Sequence, residues 1–377
     1  MIIISKVVAL RPNLKTMLEN STILTKRSFY WGVWMLICLL YSTQSSAQDP
    51  RFSQFYANPL QLNPAMIGAF EGQFRFTANY RDLYGSILAN KPYRTMTAGI
   101  EIKSPVARRD FATFAISAMR DRAGESNFQR TRLNIGGSFM KQLDGGRFGR
   151  NGQFLVVGAQ LGAGQRSYNW NDLWFTEQFD ANTASVNYGA DSGEAFERAS
   201  TNIFLDFNAG LLWYALFDEN MSVYLGGSMH HLNNPSISLL DNPMEKLPTK
   251  YVIHGGAELP FNDNLSFMPA VAFLSQGTSM STTVGGNFRY RNRDWKELAI
   301  RAGLWGHVAN KLDSGVGIDA LIFTTILEME RWNLGISYDV TTSILSVANN
   351  SRGAFELSLI YVHPGGSRQY RVECPNF

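Results

Sequence analysis

The feature that most limits what this chain can fold into is an alternation of apolar and polar residues close to its end. In Arg331-Trp332-Asn333-Leu334-Gly335-Ile336-Ser337-Tyr338-Asp339-Val340, the residues Trp332, Leu334, Ile336, Tyr338 and Val340 share one face. Arg331, Asn333, Gly335, Ser337 and Asp339 share the other. Successive strand side chains point to opposite sides, so this is a strand with one greasy and one wet face. Gly353-Ala354-Phe355-Glu356-Leu357-Ser358-Leu359-Ile360-Tyr361 follows a breaker-rich gap and repeats the pattern. The same alternation recurs along most of the chain, which points to a closed barrel in a membrane rather than to an enzyme core.

From Gln73 the pattern gives about fourteen strands. Phe74, Phe76, Ala78 and Tyr80 oppose Gln73, Arg75, Thr77, Asn79 and Arg81. Further strands are expected near 93–103, 110–119, 128–141, 151–166, 201–216, 220–230, 250–259, 264–274, 279–291, 296–306, 314–326, 331–340 and 353–363. An even number suits an antiparallel barrel, and closure removes the exposed edges of a long sheet. Asp144-Gly145-Gly146, Asp218-Glu219-Asn220, Asn262-Asp263-Asn264 and Asn292-Arg293-Asp294 read as short turns. Tyr168 to Ser200 and His231 to Lys250 are long and irregular. Short turns on one side and long loops on the other is the asymmetry of outer-membrane barrels. The competing architecture is a soluble β-sandwich or propeller, but no blade-length repeat is visible.

Ahead of the strands, residues 1–47 read as an export signal. Lys26-Arg27 precedes an apolar run from Trp31 to Tyr41, and small residues ending at Ala47 supply a cleavage site, with Met17 as an alternative start. The run is about half the roughly 20 residues a spanning helix needs. Ile37 is not the small residue that lipidation of Cys38 requires. The whole chain carries 34 Lys and Arg against 31 Asp and Glu. Loss of Lys6, Arg11, Lys15, Lys26 and Arg27 with Glu19 removes the basic excess, so nucleic acid is not an expected partner. Only Cys374 then remains, and an intramolecular disulfide is excluded.

Residues 48–70 form a different kind of segment, with Pro50, Pro59 and Pro64 and two Asn-Pro steps. Proline breaks ladders and pushes the preceding residue out of the helical region, so this is a periplasmic arm or plug rather than wall. Residues 71–363 would be the barrel and 364–377 a tail.

No catalytic or cofactor constellation emerges. His230-His231 is the one paired imidazole; adjacent strand residues face opposite ways and no third ligand stands at a metal spacing, so a solvated strand end is expected. His254, His307 and His363 are isolated. No Gly-x-Ser-x-Gly elbow occurs, which argues against a barrel hydrolase. Gly158-Ala159-Gln160-Leu161-Gly162-Ala163-Gly164 lacks the Lys-Ser/Thr of a phosphate loop, and close packing at the wall explains its glycines better. Arg75, Asp206, Glu297 and Arg301 are expected to line the lumen, as a wet pore or as the lining of a plugged one.

The opening Gln48-Asp49-Pro50-Arg51-Phe52-Ser53-Gln54-Phe55, with Asn58-Pro59-Leu60 and Leu62-Asn63-Pro64-Ala65, resembles the start of the PorP/SprF family of type IX secretion system membrane proteins. Asn79-Tyr80-Arg81-Asp82 resembles that family's first strand. Ser337-Tyr338-Asp339-Val340, Gly353-Ala354-Phe355-Glu356-Leu357-Ser358-Leu359 and the terminal Cys374-Pro375-Asn376-Phe377 look like its closing strands and tail, although Asn376 replaces the family's usual arginine. The resemblance implies a non-enzymatic outer-membrane barrel of a secretion and gliding machine, without cofactor or metal. It implies periplasmic peptidoglycan-linked and motor components and an exported surface adhesin as partners, besides outer-membrane lipid. Pro50, Phe52, Gln54, Asn58, Pro59, Asn63, Pro64, Cys374 and Phe377 are the residues expected to meet a partner. An outer-membrane channel or hydrophobic-solute transporter is the alternative.

Overall fold

The computed structural model describes residues 49–364 and Cys374, apart from 89–92, 108, 125, 145–151, 170–171, 194–199, 219–220, 240–243, 293–297 and 311–314. The signal-peptide reading of residues 1–47 and the expectations for Glu297 and Phe377 lie outside the described residues. The strands are β1 Phe74–Leu83, β2 Tyr93–Pro105, β3 Phe111–Ala123, β4 Phe128–Asp144, β5 Gly152–Ser167, β6 Phe179–Asp180, β7 Ser185–Val186, β8 Phe204–Asp218, β9 Met221–His230, β10 Lys250–Pro260, β11 Leu265–Gln276, β12 Ser279–Arg291, β13 Leu298–Asn310, β14 Val316–Met329, β15 Trp332–Thr341 and β16 Arg352–His363. Strands β6 and β7 pair only with each other in the loop between β5 and β8.

The other fourteen form a closed antiparallel barrel in which β1 pairs with both β2 and β16. Closure is in register over the whole of β1, from Phe74 opposite His363 to Leu83 opposite Ala354. The barrel then has no open sheet edge, the condition for strands to cross hydrocarbon. Among the described residues, no helix is long and apolar enough to cross a membrane.

The period-two pattern sorts the faces as expected. Along β2 and β3 the exposed positions include Met96, Ile100, Ile102, Phe114 and Ile116. The intervening positions, Thr95, Thr97, Glu101, Lys103, Thr113 and Ser117, are buried. A soluble protein of this size does not leave such a band in water. The wall is therefore inverted, with its apolar side outward to lipid and its polar side inward. Trp332 and Tyr361 pack at 4.5 Å near one end of the wall, with Phe74 against Tyr361 at 6.3 Å. Aromatic rings at strand ends match the girdles of a membrane barrel.

The two ends differ. Strand β1 begins and β16 finishes at one end, which also holds the β2–β3, β4–β5, β8–β9, β10–β11, β12–β13 and β14–β15 turns. Asp144, Asp218, Asn262 to Asn264 and Asn292, the described residues of the four short turn signals, fall there. The opposite end carries the long β5–β8 and β9–β10 connections.

Candidate functional site

The segment before β1 does not hang below the barrel; it runs through it. Residues 49–72 make a 3-10 turn at Phe55–Ala57, one helical turn at Pro59–Leu62 and a second 3-10 turn at Pro64–Met66. Proline at the first position explains both later turns, because its fixed φ suits a helix start and its missing N–H has no partner to lose there. Hydrogen bonds from this arm reach β1, β4, β5, β9, β14 and β16. Only a segment inside a closed ring can touch strands on all of its sides.

At the long-loop end, Asp49 accepts from Arg132 Nη2 at 2.7 Å and lies 2.8 Å from His231 Nε2. His231 Nδ1 sits 2.8 Å from Asp206. Burial alone would raise the Asp49 carboxyl, but Arg132, His231 and Lys250 outweigh it and hold it well below the ordinary carboxylate range. The expected solvated histidine pair is thus corrected. His230 and His231 are both buried, because the arm brings Asp49 and the Leu62 carbonyl to them. No metal-holding group of side chains occurs among the described residues.

One level further in lies a second charge cluster. Glu356 accepts the backbone N–H of Ser53 at 2.6 Å and of Gln54 at 2.9 Å. The Arg81 guanidinium pairs with Glu356 and donates to Asp339 at 2.9 Å. Ser53 Oγ donates to Asp339 at 2.7 Å, and Ser358 Oγ donates to Gln54 Oε1 at 2.8 Å. Three buried charges are tolerable only because each meets an opposite charge or a fixed donor. Segments some three hundred residues apart in sequence, the opening Ser53-Gln54 and the closing Asp339, Glu356 and Ser358, therefore form one clamp through Arg81.

The middle of the arm is held without charge. Asn63 Oδ1 accepts from Ala65 N at 2.8 Å, and Nδ2 donates to the Leu211 carbonyl at 3.0 Å. Phe55 and Tyr56 pack on Trp305 at 5.5 and 5.4 Å. At Gly158 an added Cβ would stand 2.2 Å from the Pro64 carbonyl oxygen, so only glycine lets the arm backbone lie on the wall. Close packing thus accounts for that glycine.

Near the short-turn end, Gly68 has φ of +80° and donates its N–H to Glu101 at 2.9 Å. Arg75 grips the same Glu101 with two donors, at 2.6 and 2.9 Å, and also donates to the Met66 carbonyl at 3.0 Å. Lys103 Nζ donates to the Phe70 carbonyl. Cys374 Sγ lies 3.7 Å from Tyr214 Oη, beside Phe154 stacked on Tyr214. Burial pushes this thiol up in pKa against the pull of Lys103, which keeps it protonated.

Of the residues singled out in the sequence, Gln54, Asn58, Pro59, Asn63 and Pro64 are buried inside the barrel. Pro50, Phe52 and Cys374 are partly exposed. Arg75, Asp206 and Arg301 face inward and are buried, as the alternation requires. Asp49, Ser53, Glu101, Arg132 and Asp206 as anchors of the arm were not foreseen. For Glu101, Arg132 and Asp206 the available signal was parity: a charge at an inward position of an alternating strand needs a partner in the lumen.

The barrel is similar to CdiB from Acinetobacter baumannii at 9% identity and TM-score 0.44, over 77% of this chain and 60% of that one. It is similar to a TodX monoaromatic hydrocarbon channel deltaS2 mutant at 14% identity and TM-score 0.44, over 79% and 92%. The CymD monoaromatic hydrocarbon channel gives 12% identity and TM-score 0.44, over 82% and 93%. The chain spans 60% of the length of CdiB. No curated protein sequence matches the chain. Residues 44–361 match the family described as type IX secretion system membrane protein PorP/SprF. Ser53, Gln54, Arg81, Asp339, Glu356 and Ser358, which belong to the segments that resemble the family in sequence, meet in space. This outer-membrane barrel belongs to the PorP/SprF family of type IX secretion system membrane proteins.

Proposed function

We propose that the protein is a non-enzymatic, self-plugged component of the secretion machine, working by recognition and anchoring rather than by conduction. The observation that carries this reading is the arm, which crosses the lumen from Asp49 to Gly72 and is clamped by Arg81, Asp339 and Glu356. With short turns on the periplasmic side, the Lys103 and Cys374 end faces periplasmic components of the machine. The long β5–β8 and β9–β10 loops face outward, where an exported adhesin is met. Pro50, Phe52 and Cys374, partly exposed at the two mouths, are the arm and tail residues that a partner reaches without displacing the plug.

Deleting residues 48–68 while keeping the leader tests the role of the arm. Barrel insertion is expected to survive and secretion to fail; unchanged secretion refutes the role. Single-channel recording separates this reading from the channel alternative. The intact barrel is expected to be electrically silent and the deletion variant to conduct, whereas a stable open pore in the intact protein favours transport.

A further inference from the structure

The outer wall contains a groove of about 720 Å³ across β15, β16, β1, β2 and β3, floored by Ala78, Ala98 and Ala118 and flanked by Met96, Ile336 and Leu357. All six point outward, away from the polar lumen. Register makes the floor: Ala78 stands opposite Ala98, and Ala98 opposite Ala118. Small side chains in a row beside large ones sink the surface.

The groove ends in positive charge. Arg120 lines it and is the cross-strand partner of Met96. Two residues nearer the long-loop end, Arg94 stands directly opposite Arg122. All three arginines are exposed on the outward face, at the strand ends beside the long-loop rim. Like charges placed directly opposite repel. Asp82 answers Arg94 at 3.2 Å and Gln129 accepts from Arg120 at 2.7 Å, but Arg122 makes no ion pair among the described residues. Among the described residues, one carboxylate therefore faces three guanidinium groups. On the orientation proposed above, with the long loops outward, these strand ends stand at the headgroup layer of the outer leaflet, where phosphate is the available counter-charge, and guanidinium binds phosphate with paired donors.

We infer that this face is a specific site for a phosphate-bearing lipid of the outer leaflet, its headgroup on Arg94, Arg120 and Arg122 and an acyl chain in the alanine-floored groove. The charge and the groove are contiguous through Arg120, so a single amphiphile satisfies both. The site lies on the lipid side of β1 and β2, whose inner faces carry Arg81 and Glu101, so a bound lipid braces the staves that hold the arm.

Native mass spectrometry of the detergent-purified full-length barrel titrated with monophosphoryl lipid A tests this, with a dephosphorylated analogue and inorganic phosphate as controls. One equivalent is expected to bind the wild-type protein. Replacing Arg94, Arg120 and Arg122 by Gln is expected to weaken it at least about tenfold, since each basic group near an anionic surface adds to the attraction. The Lys triple variant is expected to recover part of that loss. Ala98→Phe, which fills the groove and leaves every arginine, is expected to weaken binding as well. Heat-modifiable mobility confirms that each variant is folded. Equal affinity in the folded Gln triple variant, equal binding of the dephosphorylated analogue, or displacement by millimolar inorganic phosphate overturns the proposal.

Discussion

The start of the arm and its middle are held to the same wall by different physics. Around Ser53 and Gln54 the grip is electrostatic: Glu356 and Asp339 on the closing strands and Arg81 on the first strand enclose two backbone N–H groups and a hydroxyl. Around Asn63 and Pro64 the grip is shape: a side-chain amide, a proline turn and a glycine-bared wall in backbone contact. Buried charge tolerates no missing partner, whereas shape tolerates small losses but no added bulk. The difference teaches that the first region decides whether the arm is docked, and the second decides where it lies.

The electrostatic region should give the largest effect. Glu356→Ala leaves two backbone donors and part of Arg81 without an acceptor, and breaking a buried pair from one side costs about 3–5 kcal/mol. The arm is expected to become cleavable by protease between residues 49 and 72 in an otherwise inserted barrel. Glu356→Gln, which keeps one acceptor, is expected to fall between. An arm as resistant as in the wild type removes the clamp from the argument.

The shape region should respond in the opposite sense, to addition. Gly158→Ala places a methyl 2.2 Å from the Pro64 carbonyl oxygen, and overpacking of this kind costs about 1–3 kcal/mol. Cleavage is expected near Pro64 with the Ser53 end still protected, which separates the two grips in one digest. Deletion there is milder. Asn63→Ala loses the cap on Ala65 and the hydrogen bond to the Leu211 carbonyl, at about 1–2 kcal/mol, read as a lowered melting temperature in detergent.

The barrel was legible because alternation is local: Trp332 to Val340 announces a two-faced strand without help from any other residue. The arm was legible only as not being wall. Pro59 and Pro64 forbid a ladder, but nothing near them in sequence names their neighbours. Ser53 meets Glu356 across 303 positions, a contact that exists only once β1 has closed on β16. Buried histidines were hidden for the same reason. His231 is a loop residue by its neighbours and becomes interior only when Asp49 lies on it. The charges of the lumen carry the missing information in coded form, since Arg81, Glu101 and Glu356 sit at inward parity. Alternation gives their side, and closure alone gives their partners.

The outermost contact of the arm sets the smallest effect and the one that depends on pH. Asp49 is held below the ordinary carboxylate range in the folded protein, so its contribution is complete above the unfolded value of about 3.9 and is lost as pH falls through the depressed one. Asp49→Asn is expected to cost about 1 kcal/mol of local protection at neutral pH, where it removes the charge that Arg132 and Lys250 face. Hydrogen-exchange protection of the first arm residues should therefore differ between wild type and variant from pH 7 to about 5. The difference should shrink below pH 4, where the carboxylate of an undocked arm takes up a proton that docked Asp49 does not, and vanish as pH falls through the depressed value. Because Ser53 and Gln54 hang on Glu356 rather than on Asp49, protection beyond residue 53 should be the same in both proteins at neutral pH. A gap that persists unchanged at pH 3 would mean that Asp49 holds the arm by fit and not by charge, and would move this end of the arm into the same class as Asn63.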